Sequence, residues 1–344
     1  MENTPKNLGF TTPAEWAPHS AVWLAWPHDE ITFPDRVEKV EKTFVEIIQA
    51  IHQSEPVNLL VLDERMQSRV RELLEKAEVD VSKIFFYITT YADVWLRDYG
   101  PMYIKNFTTT EKAWVKWEYN AYNKFPTLLR DNEVFLNIKY KLEGDMFKPG
   151  IVMEGGSIEI NGVGALVTTE QCLLNPNRNP NLSKDKIEDY LKDYLGVSKI
   201  IWLPEGIIND HTDGHIDDVL KFVNANTILC GYEEDKNDPN FKILDENYKI
   251  LENSTDQDGK PFNLIKLPMP HMDYDDGTKA PVSYANFYIG NTVVLVPTFN
   301  DSNDAKALSI IESSFPDKKI VGINCRDLIY GGGAIHCITC QEPV

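Results

Sequence analysis

The sequence predicts an α/β protein built from five strand-strand-helix-strand units closed into a ring. Three observations carry that expectation. Hairpins, helices and buried strands recur in one order at a period of roughly 60–70 residues, the kind of period that signals radial repetition. No Pro/Gly/Ser-rich linker divides the 344 residues, so a single domain over 1–344 is expected rather than two conventional α/β domains. Hydrophobic residues make up 42% of the chain, enough for a sizeable core.

Residues 21–26 read as a strand, 33–52 as a helix and 57–62 as the next strand. A helix at 65–76 leads to a strand ending near Tyr87, and 94–119 supply a hairpin. Ser157-Ile158-Glu159-Ile160 alternates, Asn161-Gly162 turns, and 164–169 return. Asn-Gly between alternating runs is a strong hairpin signal. Ser183 is placed to cap a helix whose Ile187, Tyr190, Leu191 and Leu195 recur at helical spacing, and Gly196 stops it. Residues 199–204 then form a buried strand. The order repeats with 219–223, 227–230, a helix at 241–251 and a strand at 263–267. It repeats again with 285–289, 292–297, a helix at 304–315 and a strand at 319–323. The acidic, proline-bounded loop 268–277 is either a surface connection or a lid. If both termini share one unit, the C-terminal strand lies beside the first repeat, which leaves no long open edge.

The net charge is −19. Such a surface repels nucleic-acid phosphates and anionic lipid, and it suits a cationic substrate. No apolar run approaches the ~18 residues that span a bilayer. The segment Met1-Glu2-Asn3-Thr4-Pro5-Lys6-Asn7 has no apolar signal core. Five scattered cysteines, an odd number, argue for a reducing, cytoplasmic setting. Only Cys337 and Cys340 are close in sequence, with no second pair nearby to complete a zinc site.

Four stretches carry chemistry. Tyr330-Gly331-Gly332-Gly333-Ala334-Ile335-His336-Cys337 reads as a thiol presented on a short strand by a glycine turn that allows close approach to a ligand. Trp95-Leu96-Arg97-Asp98 ends a strand with two opposite charges, which strand geometry sends to opposite faces. Met153-Glu154-Gly155-Gly156-Ser157 sets a carboxylate before two glycines, open to a guanidinium partner. Residues 209–218 are the densest cluster. There His215 and Asp217 share a face if the segment is extended. Taken alone, that cluster suits a metal site, an acid/base site or a capped loop equally. Together, a thiol among carboxylates implies a planar cationic substrate with an electrophilic carbon, which is a guanidinium.

These stretches, with Thr12-Pro13-Ala14-Glu15-Trp16 and Leu173-Leu174-Asn175-Pro176-Asn177-Arg178-Asn179-Pro180, resemble the agmatine deiminase / bacterial peptidyl-arginine deiminase family of the guanidino-group modifying superfamily. The resemblance covers nearly the whole chain. It implies a five-bladed, pseudo-symmetric α/β propeller. It implies a hydrolase of C–N bonds in linear amidines, turning agmatine into N-carbamoylputrescine and ammonia through a covalent cysteine intermediate, within polyamine metabolism. Cys337 resembles the nucleophile and His215 the general acid/base. Asp98 and Asp217 resemble the carboxylates that grip the guanidinium, and Glu154 the glutamate that supports the histidine. Trp95 resembles the aromatic wall along the substrate's alkyl chain, a core Trp being the alternative, and Gly332 and Gly333 fall on the substrate-binding run. No metal and no organic cofactor are implied, and the partner is a small cationic guanidine, with a homodimer left open. The other readings are deimination of arginine in peptides or proteins, a metal-dependent hydrolase built on 210–218, and a catalytically dead cation-binding scaffold. Ala334, Cys340 and His28-Asp29 depart from the usual agmatine deiminase pattern, which bears on recognition of the substrate's tail. Arg178 reads as a structural residue of a rigid loop.

Overall fold

The computed structural model describes residues 3–344; Met1 and Glu2, part of the N-terminal segment read above, lie outside the described residues. The chain opens with β1 (His19–Ala25), α1 (Val37–Ile51), β2 (Val57–Val61), α2 (Glu64–Lys76) and β3 (Ile84–Ile88). A helical turn, α3 (Leu96–Tyr99), precedes β4 (Met102–Lys105), β5 (Lys112–Val115), α4 (Val134–Asn137) and β6 (Asp145–Phe147). Then come β7 (Ile158–Ile160), β8 (Ala165–Thr169), α5 (Glu170–Leu173), α6 (Lys184–Leu195) and β9 (Lys199–Leu203). The fourth group is β10 (Leu220–Asn224), β11 (Thr227–Tyr232), α7 (Asn240–Glu252) and β12 (Asn263–Pro268). The fifth is β13 (Tyr288–Ile289), β14 (Val293–Thr298), α8 (Asp304–Ser314) and β15 (Lys319–Asn324). A last turn, α9 (Ile335–Ile338), leads into β16 (Cys340–Pro343).

These strands form five small sheets in a mixed α/β fold. In four of them a hairpin pairs antiparallel and the third strand joins parallel, as in β7-β8-β9. A tight turn suffices for the antiparallel step, whereas the parallel step needs a crossover, usually a helix. The other sheet has the order β16-β1-β2-β3. Its β16 pairs antiparallel with β1, Trp23 opposite Cys340, in the position a hairpin partner fills elsewhere. The helix at 65–76 and its strand are thus an extra pair on the first unit, and the C-terminal strand does lie beside it.

Local chemistry explains the elements. Val40, Phe44, Ile47, Ile48 and Ile51 put one apolar stripe of α1 into the core. Ser183 accepts from Lys186 N at the start of α6, and Gly196 ends it at φ 72. Gly162 turns the β7-β8 hairpin at φ 73. No described helix is long and apolar enough to cross a membrane.

Two expected strands are helical turns instead. Trp95-Leu96-Arg97-Asp98 does not end a strand, because the Asp93 carboxylate accepts Val94 N at 2.8 Å and Trp95 Nε1 at 2.9 Å and bends the chain there. Cys337 sits in α9 rather than on a strand, because Asn286 takes His336 N through its side-chain oxygen at 2.9 Å and its backbone oxygen at 3.1 Å. β13 keeps only two residues of the predicted 285–289, since Asn286 is spent on α9.

Candidate active site

Three side chains from two turns, two carboxylates and an imidazole, converge over Gly156. A Cβ there would lie 2.6 Å from His215 Nδ1, 2.9 Å from Asp98 Oδ1 and 3.1 Å from Asp217 Oδ2. Asp98 arrives from α3, where Gly156 N donates to its Oδ1 at 3.1 Å and Tyr122 Oη to its Oδ2 at 2.7 Å. His215 and Asp217 are not extended: His215 precedes a 3-10 turn at Ile216–Asp218. The turn still sends both side chains to the same point. His215 Nδ1 is 3.7 Å from Asp98 Oδ1.

Burial pushes the Asp98 carboxyl up to about 6, with Asp217 adding to the rise while His215 and Tyr122 oppose it. Burial also disfavours charge on His215, but Asp98, Cys172 and Glu154 outweigh it and hold its pKa well above the usual histidine value. Burial raises the Asp217 carboxyl in turn, yet the hydrogen bond and charge of His336 win and hold it low. Asp217 Oδ1 is fully buried without a hydrogen-bond partner, an acceptor left for a donor to fill.

Cys337 is 7% exposed, with Sγ 3.8 Å from Asp217 Oδ2. Asn286 Nδ2 donates to that sulfur at 3.1 Å and to Asp218 Oδ1 at 3.1 Å. Burial, then Asp217, Asp218 and Asp98, push the thiol well above its ordinary value. The three glycines before it each have a neighbour that leaves no room for a side chain. A Cβ on Gly331 would meet Phe33 and Trp95, and one on Gly333 would stand 3.0 Å from Cys337 Sγ. Gly332 adopts φ 99 beside His211.

Behind His215, Glu154 is wholly buried, and its Oε1 meets Arg178 Nε at 2.6 Å. Arg178 also reaches Asp213 Oδ2 at 2.9 Å and Thr212 O at 2.7 Å, so it ties Glu154 to the loop that carries His215. Beneath Asp217, His336 Nδ1 lies 2.7 Å from its Oδ2. His336 Nε2 lies 2.6 Å from Lys221 Nζ and 2.8 Å from Glu15 Oε2, and Lys221 Nζ donates to Glu15 at 2.8 Å. Burial raises the Glu15 carboxyl, but Lys221, His336 and Arg97 hold it well below the carboxylate range.

Above these groups opens a cavity of about 220 Å³ lined by Asp98, Cys337, Trp95, Gly331, Gly332 and Gly333, with Tyr122, Phe125, Tyr330 and His211 among the outer residues. The loop 268–277 leans on that rim: Tyr274 Oη donates to Ile329 O at 3.0 Å, and Arg36 bridges Asp275 and Asp327 while stacking on Tyr330.

Cys337, His215, Asp98, Asp217 and Trp95 thus meet at one place, with Glu154 one layer behind. Sequence reasoning missed Asn286, Tyr122 and Lys221, and it took in Asp218 only as part of the 209–218 cluster. Asn286 sat inside a predicted strand with no motif to mark it. Lys221 had one signal, a lone charge among the apolar residues of β10. Two groups among the described residues could hold a cation: Glu154-Cys172-His215 and Glu233-Asp238-His271. In the first, the Arg178 guanidinium already sits on Glu154, and in the second Lys279 pairs with Asp238. Only His215 of the 210–218 cluster belongs to either group.

The family model for Porphyromonas-type peptidyl-arginine deiminase matches residues 11–343. The agmatine deiminase of Ectopseudomonas mendocina is 35% identical, with 100% of this chain and 98% of that protein covered. A solved structure of Enterococcus faecalis agmatine deiminase superposes with a TM-score of 0.90 at 36% identity, covering 99% of this chain and 98% of that one. A Cys-to-Ser variant of the C. jejuni agmatine deiminase with substrate bound gives 0.86 at 28%, covering 97% and 96%.

Proposed function

The chain belongs to the Porphyromonas-type peptidyl-arginine deiminase family, and from that premise we propose that it is an agmatine deiminase, hydrolysing agmatine to N-carbamoylputrescine and ammonia. The observation that carries this reading is the convergence of Asp98, His215 and Asp217 over Gly156, with the Cys337 sulfur 3.8 Å from Asp217. Asp98 and Asp217 grip the guanidinium, whose donors meet the free Asp217 Oδ1. Its positive charge offsets the carboxylates that hold the thiol protonated, so Cys337 loses its proton to solvent as the substrate binds. The thiolate attacks the guanidinium carbon, and a C–S bond forms. His215, protonated in the resting site, gives its proton to the departing nitrogen, and the C–N bond breaks to release ammonia. Water then adds to the amidino-cysteine carbon, His215 taking its proton, and the C–S bond breaks to free the product and the thiolate. Glu154, with Cys172 close by, favours the charged form of His215.

The shared sheet of β16 and β1 supports closure of the five sheets into a five-bladed propeller, one domain over residues 1–344. Five free, buried cysteines support a reducing, cytoplasmic setting.

Mass spectrometry of the protein incubated with agmatine tests the reaction. The expected result is carbamoylputrescine together with an amidino adduct on Cys337. Cys337→Ala should abolish turnover and leave agmatine binding largely intact. Turnover by that variant would sink the mechanism.

A further inference from the structure

Lys221 is wholly buried on β10 between the apolar side chains of Leu220 and Phe222, and no step of the proposed reaction uses it. Its Nζ lies 2.8 Å from Glu15 Oε2 and 3.4 Å from Glu159 Oε2. Replacing such a buried ion pair by apolar side chains is often neutral or stabilising, so stability by itself does not account for an ammonium at this place. The third contact of Lys221 leads to the site. Its Nζ lies 2.6 Å from His336 Nε2, and His336 Nδ1 lies 2.7 Å from Asp217 Oδ2.

His336 Nε2 therefore meets two partners of opposite kind. The Lys221 ammonium can only donate, and the Glu15 carboxylate, 2.8 Å away, can only accept. Nε2 is satisfied without a proton by the first and with a proton by the second. Either way a proton stays on Nδ1, where Asp217 Oδ2 accepts it. The same contacts fix the ring, because an imidazole turned over would present carbon both to Asp217 and to Glu15 and Lys221. Asp217 thus keeps Oδ2 bonded inward, while Oδ1 has no partner.

We propose that Lys221 is a positioning residue for the guanidinium site: acting through His336 Nε2, it keeps the Nδ1 proton directed at Asp217 Oδ2 and leaves Asp217 Oδ1 to the substrate. The inference rests on the guanidine reading of the site. Without Lys221, Nε2 faces only the Glu15 carboxylate. A ring with one proton then serves one of two carboxylates, and Asp217 goes without its donor for part of the time. A second ring proton, gained as pH falls, serves both again. The charged and titratable groups around this ring are Asp217, Glu15 and Lys221 at its nitrogens, Glu159 beyond Lys221, Arg97 with its Nη2 3.6 Å from Glu15 Oε2, and Cys337 next in the chain.

The test is Lys221→Met, with kcat and KM for agmatine measured across pH. KM should rise about tenfold, the worth of a hydrogen bond to a charged group, while kcat changes less. The ratio of variant to unmutated KM should grow as pH rises and shrink as it falls. Lys221→Arg, which restores a donor, should recover most of the affinity. So should Glu15→Gln added to Lys221→Met. Ile289 N donates to Glu15 Oε1 at 2.9 Å, which holds the new amide oxygen there and turns the amide nitrogen to His336 as a donor. A purely structural role predicts neither the pH trend nor that rescue. An unchanged KM in Lys221→Met overturns the inference, as does a loss that is the same at every pH and that the double variant does not restore. If Lys221→Met does not fold, proton–nitrogen correlation spectra of the imidazoles in the unmutated enzyme decide. A proton on His336 Nδ1 supports the inference, and an Nδ1 without one overturns it. Turnover of no guanidine by the unmutated enzyme would instead overturn the guanidine reading, and the same spectra would still test how His336 is held.

Discussion

Asp98 and Cys337 both line the cavity, and burial is the first cause that raises the pKa of each; at Asp98 the charge of His215, 3.7 Å away, opposes the rise, whereas at Cys337 the carboxylates Asp217, Asp218 and Asp98 add to it. The sign for catalysis follows from which form is needed. Asp98 must be ionised to hold a guanidinium, and its pKa is pushed up to about 6. KM for agmatine should therefore rise as pH falls through about 6, while kcat moves less. A KM flat between about pH 5 and 8 would contradict this. At the same scale, the thiol supplies the nucleophile that a metal-bound hydroxide would otherwise supply, and Arg178 holds Glu154 in the cluster nearest His215. Activity should survive exhaustive EDTA treatment. Loss of activity restored by zinc or manganese would favour the metallohydrolase reading.

Among the elements, the active groups come from turns rather than from the strands themselves. α3 carries Asp98, the turn at Ile216–Asp218 carries Asp217, and α9 carries Cys337. Short turns packed at sheet ends can aim side chains inward without breaking the ladders. Gly156 is the shared floor of α3 and of the turn that carries His215 and Asp217. Gly156→Ala would push a methyl to 2.6 Å from His215 Nδ1 and 2.9 Å from Asp98 Oδ1, closer than real Cβ atoms come. Displacing both groups by a fraction of an ångström should cut kcat/KM about a hundredfold. The melting temperature should change far less, since the sheets are untouched. Full activity in that variant would mean the three groups do not act together.

Across the whole molecule, the net charge of −19 surrounds a cavity lined by two carboxylates. Such a field draws cations inward and is screened by salt. The kcat/KM for agmatine should fall as ionic strength rises from ~0.01 M to ~0.15 M, with kcat nearly constant. An unchanged kcat/KM across that range would remove steering from the account. The same scale explains the long reach of the support beneath the site. Glu15 near the N-terminus, Lys221 on β10 and His336 near the C-terminus meet in one buried network, which only a fold that brings both ends together could form.

The sequence by itself determined the repeat, the caps and the candidate residues that the fold brings together. Asn161-Gly162 and the Ser183-to-Gly196 helix are set by local sterics and hydrogen bonding within a few residues, so they were legible without neighbours. Cys337, His215, Asp98 and Asp217 were legible because their residue types and flanking glycines mark chemistry. What only the tertiary structure decided were the contacts between distant turns. Asn286 lies 51 residues from Cys337 and Lys221 lies 115 from His336, and no local pattern encodes such pairs. The helical turns at Asp98 and Cys337 differ from the strands expected there. Their conformation is fixed by Asp93 and Asn286, and for Cys337 by a partner that arrives only when the sheets pack.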